Sequence, residues 1–315
     1  MPLIQKDSII GHKDILMFLE RVMERNTLAH AYFFVGPEGI GKTFLIEWLV
    51  QKLMGPQGLR HPDVFVVERL IEEKTGKQKS FVSVEQMREV RMHMSTSSFL
   101  GGWKIVFIKE AEYMNKEAAN ALLKILEEPP QKRLFLLRAS SPESLPLTIL
   151  SRCQLLRCKP VSEEMITLRL IEDGFSKEEA KKIAVISAGR PGIAFSFAED
   201  IQVREQYEEQ RRLFSDLLVS SPAKRLTLLS GLLPKEEQNR QQLAQELLER
   251  WESTVRDLLL SSLHLKTNNI GEESSSVEKS SLHWCSVLER IRKVHVVLKQ
   301  NAHPLIGLEE VLLHL

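Results

Sequence analysis

AYFFVGPEGIGKT, residues 31–43, runs from a short apolar segment through a glycine-rich loop into the apolar-periodic segment FLIEWLVQKL. This order predicts a strand, a loop and a helix. Gly36, Gly41, Lys42 and Thr43 fit the pattern G-x-x-x-x-G-K-[ST], in which backbone N–H groups wrap phosphates, the lysine reaches the β and γ oxygens and the hydroxyl meets Mg²⁺. The glycines let the backbone approach phosphates without Cβ clashes, and the N-terminus of the following helix favours an anion.

This loop predicts nucleotide binding, with Thr43 as a possible Mg²⁺ ligand. A plain strand-to-helix turn is the alternative, and the pattern does not by itself establish hydrolysis. An apolar turn at Ile9 and Ile10, upstream of the loop, could form the adenine pocket, or it could serve packing alone. The predicted nucleotide-binding residues are Ile9, Ile10, Gly36, Pro37, Glu38, Gly39, Ile40, Gly41, Lys42 and Thr43.

The composition is that of a soluble globular protein, with 43% hydrophobic and 27% charged residues among 315, enough for roughly two or three domains. Lys and Arg total 43 against 42 Asp and Glu, so nothing global indicates nucleic acid or a membrane, and any DNA contact is expected to be local or shared with partners. The N-terminus lacks a charged-then-apolar signal, and no stretch approaches the roughly 18 apolar residues of a membrane span. We therefore predict a cytoplasmic protein.

The three cysteines, Cys153, Cys158 and Cys285, are too few and too unevenly spaced for a disulfide framework or a four-ligand zinc site. Their number indicates a reducing compartment. Buried thiols are the simplest interpretation, and no zinc is expected.

WKIVFI, residues 103–108, is an almost continuous apolar run, as expected for a strand in the buried middle of a parallel sheet. In nucleoside triphosphatases such a strand ends in Asp-Glu, where the Asp helps to hold Mg²⁺ and the Glu polarises the attacking water. Here it ends in Lys109-Glu110, which places a cation where a carboxylate is needed and makes Mg²⁺ affinity and turnover doubtful. Glu110 could still orient water, and a surface carboxylate is the alternative.

Strands alternate with helical segments through residue 158, which predicts an α/β domain with a parallel sheet and helices on both faces. Lys159-Pro160 is interpreted as a hinge. We predict a nucleotide-binding P-loop domain over residues 1–159, a small helical lid over 160–200 and an all-α domain over 201–315, interrupted by a mobile polar loop at 266–281.

Four segments stand in one order: GPEGIGKT, IVFIKEAEYM, NKEAANALLKILEEPP and LPLTILSRCQ. Together they resemble bacterial clamp-loader subunits of DNA polymerase III, of the delta-prime and gamma/tau type, in the AAA+ family. The resemblance covers roughly residues 5–200, and the C-terminal collar matches only in length and helicity. It implies DNA replication in a hetero-pentamer with gamma/tau-type and delta-type subunits, in which ATP binding opens a ring-shaped sliding clamp and primer-template DNA triggers hydrolysis. ATP and Mg²⁺ are the cofactors that this chain's own site could bind.

The resemblance also implies a role for the Arg of Ser-Arg-Cys, here Arg152, as an arginine finger in a neighbouring subunit's nucleotide site. A planar guanidinium beside a γ-phosphate supplies transition-state charge. The alternative for a lone loop arginine is a surface salt bridge.

Three departures from the family are visible. Residues 53–60 carry no cysteine where many relatives have a zinc module, Lys109 replaces an acidic residue, and Gly192 stands where motor subunits carry a lid arginine, with Arg190 as an uncertain substitute. These departures predict a subunit that binds nucleotide without efficient hydrolysis and acts as a stationary partner. The alternatives are a gamma-like motor in which Glu110 suffices, and an unrelated P-loop kinase or ATPase with a substrate pocket in the lid.

Overall fold

The computed structural model describes residues 8–72, 78–99, 102–127, 132–233, 237–263, 279–299 and 302–315. The chain divides into two compact units, Met1–Phe195 and Ser196–Leu315. Most of the polar loop predicted to be mobile, residues 266–278, lies outside the described residues.

The first unit is built on a five-stranded sheet in which every neighbouring pair of strands is parallel. The strands lie in the order β2-β3-β4-β1-β5, so β1 is hydrogen-bonded to β4 on one side and β5 on the other. Their bounds are β1 Ala31–Val35, β2 Val64–Val67, β3 Lys104–Ile108, β4 Arg133–Ala139 and β5 Gln154–Arg157. The apolar runs in the sequence therefore form the buried strands that were predicted.

The sheet carries helices on both faces, because successive side chains of its buried strands point to opposite sides. On one face, Phe33, Val106 and Phe135 pack with α3 and α4. On the other, Phe34, Phe107 and Leu136 pack with α1 and α2. The helices of this unit are α1 Lys13–Glu24, α2 Lys42–Met54, α3 Val84–Ser95, α4 Lys116–Glu127, α5 Leu147–Leu150, α6 Glu163–Glu172, α7 Lys177–Ile186 and α8 Pro191–Glu199, the last of which ends in the second unit.

Several of these helices begin at side-chain caps. Ser83 and Gln86 form a capping box at α3, and Asn115 accepts the amide of Ala118 at 2.8 Å at the start of α4. Ser162 and Ser176 cap α6 and α7 in the same way. These caps fix where the four helices begin.

Within its described residues, the second unit consists of helices joined by short non-helical segments. Its helices are α9 Ile201–Val219, α10 Pro222–Leu232, α11 Glu237–Ser262, α12 Ser281–Lys299 and α13 Pro304–Leu313. They enclose their own core, which includes Phe214, Trp251, Trp284, Ile291 and Leu308. Among the described residues, none of the helices combines the length and the apolar character needed to cross a bilayer.

The predicted fold class is confirmed: a parallel sheet with helices on both faces is followed by a helical C-terminal region. The three-part division at residues 159 and 200 stays a prediction.

Candidate functional site

The glycine-rich loop, residues 36–41, joins the carboxyl end of β1 to the N-terminus of α2. Gly36 needs to be glycine because a Cβ there would lie 2.5 Å from the carbonyl oxygen of Cys158. In the loop, Ile40 is fully buried and Glu38 is exposed. The loop is thus anchored in the core at one residue while its backbone follows the edge of the sheet where phosphates bind in parallel α/β folds.

Lys42 is 4% exposed, and its ammonium donates to the carbonyl oxygens of Gly36 and Pro37, the latter at 2.7 Å. Burial lowers the pKa of Lys42 below its ordinary value. The negative charge of Glu38 raises this pKa, and the positive charge of Arg138 lowers it further. The lysine predicted to reach phosphate oxygens therefore lies within the loop, beside a second cation.

Thr43 is contacted by that second cation. Nη1 of Arg138 donates to Oγ1 of Thr43 at 2.6 Å, and Nε of the same guanidinium donates to the carbonyl oxygen of Lys109, also at 2.6 Å. Arg138 lies near the carboxyl end of β4, directly beside β1, so the sheet brings it to the loop. The sequence interpretation did not identify this residue.

Lys109 does not lie where the sequence interpretation placed it. Its ammonium pairs with the carboxylate of Glu68 at 2.7 Å, and its side chain is 34% exposed. The cation that contacts Thr43, the predicted Mg²⁺ ligand, is Arg138 rather than Lys109. The Lys109 side chain instead pairs with Glu68, the residue directly after β2. The prediction named Lys109, whereas the cation that contacts Thr43 is Arg138.

Glu110 is bound by Arg69 through both of its oxygens, with Nε to Oε2 at 3.1 Å and Nη2 to Oε1 at 2.8 Å. The Arg69 guanidinium also stacks on the ring of Tyr113, 3.8 Å from its centroid. Burial acts to raise the pKa of Glu110, but the hydrogen bonds and charge of Arg69 outweigh it and hold that pKa below its ordinary value. In this arrangement Arg69 engages both carboxylate oxygens, and a role of Glu110 in orienting water stays a prediction.

Ile9 is buried in the core that α1 and α2 share with the sheet, whereas Ile10 is half-buried. Next to them, Nε2 of His12 is 2.8 Å from the carbonyl oxygen of Ile40, and burial lowers the pKa of this imidazole. The segment before α1 thus contacts the glycine-rich loop through His12. Whether Ile9 and Ile10 line an adenine pocket stays a prediction.

The start of α8 lies on the glycine-rich loop. The backbone amide of Gly192 donates to the carbonyl oxygen of Gly39 at 2.7 Å. A Cβ on Gly39 would approach Ile193 to 2.4 Å, so the two segments are in close contact. Arg190, the uncertain lid arginine, donates from Nε to the carbonyl oxygen of Ser187.

Arg152 lies on the connection between α5 and β5, and its side chain is 35% exposed. Nη1 donates to the carbonyl oxygen of Thr148 at 3.0 Å, and Nη2 donates to Oε1 of Glu127 at 3.1 Å. The carboxylate of Glu127 and the carbonyl oxygen of Thr148 therefore hold this guanidinium at the surface of the first unit.

A glycine-rich loop between an interior parallel strand and a helix, in a sheet covered on both faces, is the arrangement of a P-loop domain. Residues 11–162 match the model of the family described as DNA polymerase III, delta subunit. Over these residues the chain is similar to DNA polymerase III subunits of the delta' and tau/gamma type.

Individual relatives include subunits of both types. A DNA polymerase III subunit tau/gamma from Haemophilus influenzae is 31% identical, and the match covers 51% of this chain and 25% of that relative. A DNA polymerase III subunit delta' from Pseudomonas aeruginosa is 33% identical over 62% of this chain and 64% of that relative. Among solved structures, a gamma subunit-related protein from Thermotoga maritima aligns with a TM-score of 0.44 and 18% identity, covering 93% of this chain and 97% of that one.

Proposed function

We propose that this protein is a delta-prime-type subunit of the DNA polymerase III clamp loader, which helps to load the sliding clamp onto primed DNA during replication in the cytoplasm. It assembles with gamma/tau-type and delta-type subunits in a hetero-pentamer and meets the clamp and primer-template DNA through that complex. In it, the chain acts as a stationary subunit that supplies Arg152 to the nucleotide site of a neighbour.

The observation that carries this proposal is the surface position of Arg152. The side chain is about one-third exposed, and its guanidinium is pre-oriented by Glu127 and the carbonyl oxygen of Thr148. An arginine that acts in another subunit must stay charged, reach past its own domain and keep a defined direction, and these two contacts give it that direction.

The chain's own site supports nucleotide binding with little hydrolysis. The glycine-rich loop and Lys42 are those of a phosphate site, but Arg138 contacts the hydroxyl of Thr43 and Arg69 engages Glu110. Hydrolysis of a γ-phosphate needs a metal-bound phosphate and an oriented water, and both of these positions face guanidinium groups here.

The C-terminal unit supports an assembly role. It folds around its own core, and several large apolar side chains of α12 and α13 remain exposed, among them Leu282, Val296 and Ile306. Exposed apolar side chains of this kind suit a helical collar that joins sister subunits.

The test is reconstitution of the loader with Arg152→Ala, followed by measurement of clamp loading and of ATP hydrolysis. The neighbour site that receives Arg152 should lose about 10³-fold in hydrolysis rate, and clamp loading should fall with it. Glu127→Gln is the matched partner variant, because it removes the surface pair but leaves the guanidinium, and it should retain most activity. Unchanged clamp loading with Arg152→Ala would overturn the stationary-subunit proposal.

A gamma-like motor is the second candidate, supported by the intact loop at residues 36–43 and by the tau/gamma relative. It predicts ATP turnover by the purified chain that disappears in Lys42→Ala. No turnover alone or in the complex would exclude it.

A further inference from the structure

Arg138 occupies the position where a P-loop protein presents its Thr or Ser hydroxyl to a metal ion. Its Nη1 donates to Oγ1 of Thr43 and its Nε donates to the carbonyl oxygen of Lys109. The first bond uses a lone pair of the hydroxyl oxygen, which is the atom that would bind Mg²⁺. The hydroxyl hydrogen, in contrast, stays available for a phosphate oxygen.

The residues around Thr43 do not fit Mg²⁺. This ion takes oxygen ligands in octahedral geometry, with one or two carboxylates supplied by the protein. Here the strand end offers Lys109 instead of Asp, and Glu110 is bound by Arg69. Within the described ranges, no group of three or more His, Cys, Asp or Glu side chains is placed to hold a metal ion.

The charges around the loop favour a nucleotide without metal. The positive charge of Arg138 acts on Lys42, against the negative charges of Glu38 and Glu112, and the N-terminus of α2 adds the positive end of a helix dipole. A bound Mg²⁺ would place further positive charge beside two cations, whereas a metal-free nucleotide brings uncompensated phosphate charge to them.

We propose that Arg138 is the built-in counter-cation of this phosphate site and that the site binds nucleoside di- or triphosphates without Mg²⁺. The proposal rests on the nucleotide binding proposed above for residues 36–43. Two of the five N–H hydrogens of the guanidinium are used by Thr43 and Lys109, and the planar fork presents others to phosphate oxygens in a bidentate manner. Arg138 thus replaces the metal in binding but not in hydrolysis, because a fixed guanidinium bound to Thr43 orients no attacking water.

The test is titration of the full-length protein with ADP and ATP carrying a fluorescent ribose label, once in excess EDTA and once in excess Mg²⁺. The wild-type protein should bind with the same Kd in both buffers to within about threefold. Arg138→Gln should weaken binding in EDTA by about tenfold or more and should make binding depend on Mg²⁺. Arg138→Lys keeps the charge without the planar fork and should retain most of the binding in EDTA.

The matched control is Arg133→Gln, at the opposite end of the same strand, where the guanidinium donates to the carbonyl oxygens of Met94 and Thr96. It removes the same charge from β4 and should leave both Kd values unchanged. Circular dichroism melting of each variant shows whether its fold is kept.

Three outcomes would overturn the inference. Wild-type binding that is tenfold or more tighter with Mg²⁺ would contradict metal-free binding while leaving nucleotide binding itself in place. Unchanged binding of Arg138→Gln in EDTA would remove the role of Arg138. No binding of either nucleotide in either buffer would overturn both this inference and the proposed nucleotide binding. The stationary-subunit role would still be decided separately, by reconstitution of the loader with Arg152→Ala.

Discussion

The guanidinium of Arg69 holds the carboxylate of Glu110 with two hydrogen bonds, 3.1 Å from Nε to Oε2 and 2.8 Å from Nη2 to Oε1. The two side chains are 17% and 21% exposed. A paired, partly buried carboxylate of this kind contributes to the stability of the fold. Its contribution to folding can be measured without any nucleotide.

Arg69→Gln should lower the free energy of unfolding of the first unit by about 2 kcal/mol at neutral pH, because Glu110 then loses a charge-assisted bidentate partner. The pKa of Glu110 lies below its ordinary value of 4.5 in the folded protein. A depressed carboxylate pKa stabilises the fold fully above the unfolded-state pKa, and this stabilisation is lost as the pH falls through the folded-state pKa. The difference between wild type and variant should therefore stay constant from neutral pH down to the ordinary value of 4.5 and shrink as the pH falls below it.

The measurement is urea unfolding of both proteins at a series of pH values. The control is Lys109→Gln, which breaks the more exposed pair with Glu68 and should change stability by about 1 kcal/mol or less. A loss in Arg69→Gln that stays constant down to acid pH would mean that packing on Tyr113, rather than the ion pair, supplies the stability.

The contact between the glycine-rich loop and α8 predicts a steric effect at Gly192. A Cβ on this residue would lie 2.9 Å from the carbonyl oxygen of Gly39, and backbone on both sides leaves little room to adjust. Gly192→Ala should therefore weaken the contact by about 1–3 kcal/mol. Peptide-resolved amide hydrogen exchange should show faster exchange at the start of α8 and in residues 36–41.

Gly231 provides the comparison, since it lies in helix α10 and a Cβ there would meet nothing within 4 Å. Gly231→Ala should raise helix stability by about 1 kcal/mol, the ordinary gain for this exchange in a helix. Slower or unchanged exchange around Gly39 in Gly192→Ala would show that α8 does not depend on this close approach.

Much of the fold could be predicted from local sequence patterns. Residues 31–43 identify the strand, loop and helix because a buried apolar run, closely spaced glycines and a Lys-Thr pair each have a local physical cause. The parallel sheet follows from the alternation of strands and helices, which the structure confirms. These features need no knowledge of which strands are neighbours.

The site residues Arg138 and Arg69 could not be placed in the same way. Arg138 and Thr43 are 95 residues apart in the sequence and meet only because β4 lies beside β1. The signal was a single charged residue in the apolar run LFLLRAS, near the carboxyl end of a strand, where parallel sheets place their ligand-binding groups. The sequence placed a cation at the metal site through Lys109, but that ammonium has a nearer partner in Glu68.

The three thiols should differ sharply in reactivity. Burial raises the pKa of Cys153 to about 12 and, against the opposing charge of Lys42, that of Cys158 to about 11, so both hold little of the reactive thiolate. Cys285 is exposed on α12. A disulfide reagent at about pH 8 should therefore modify one thiol quickly and the other two about 100-fold more slowly.

The rapid phase should disappear in Cys285→Ser, and all three thiols of the wild type should react together in denaturant. A rapid phase that persists in Cys285→Ser would show that one of the buried thiols opens to solvent in the native state.

Arg225 joins two helix ends of the C-terminal unit through one buried guanidinium. Its Nε and Nη2 donate to the carbonyl oxygens of Leu217 and Leu218 in the last turn of α9, at 2.8 and 3.1 Å, and Nη1 donates to that of Leu312 in the last turn of α13, at 3.1 Å. Carbonyls in a last helical turn lack their usual intrahelical partner, so this side chain supplies donors to the carbonyls of Leu218 and Leu312 and shares that of Leu217 with the amide of Ser220. Burial lowers the pKa of Arg225, but an arginine stays charged at neutral pH.

Arg225→Met should consequently cost about 3 kcal/mol of stability in the C-terminal unit, because three buried acceptors lose a charged donor at once. Lys224→Met removes the same charge from the preceding, exposed position and should change stability by about 0.5 kcal/mol or less. Amide hydrogen exchange in α9 and α13 measures both effects in the intact chain, and the two helices should lose protection together. Equal losses of protection in the two variants would assign the effect to net charge. A loss of protection confined to α9 would show that the guanidinium does not couple the two helices, because α13 would then be held by its apolar contacts with Ile291 and Leu298.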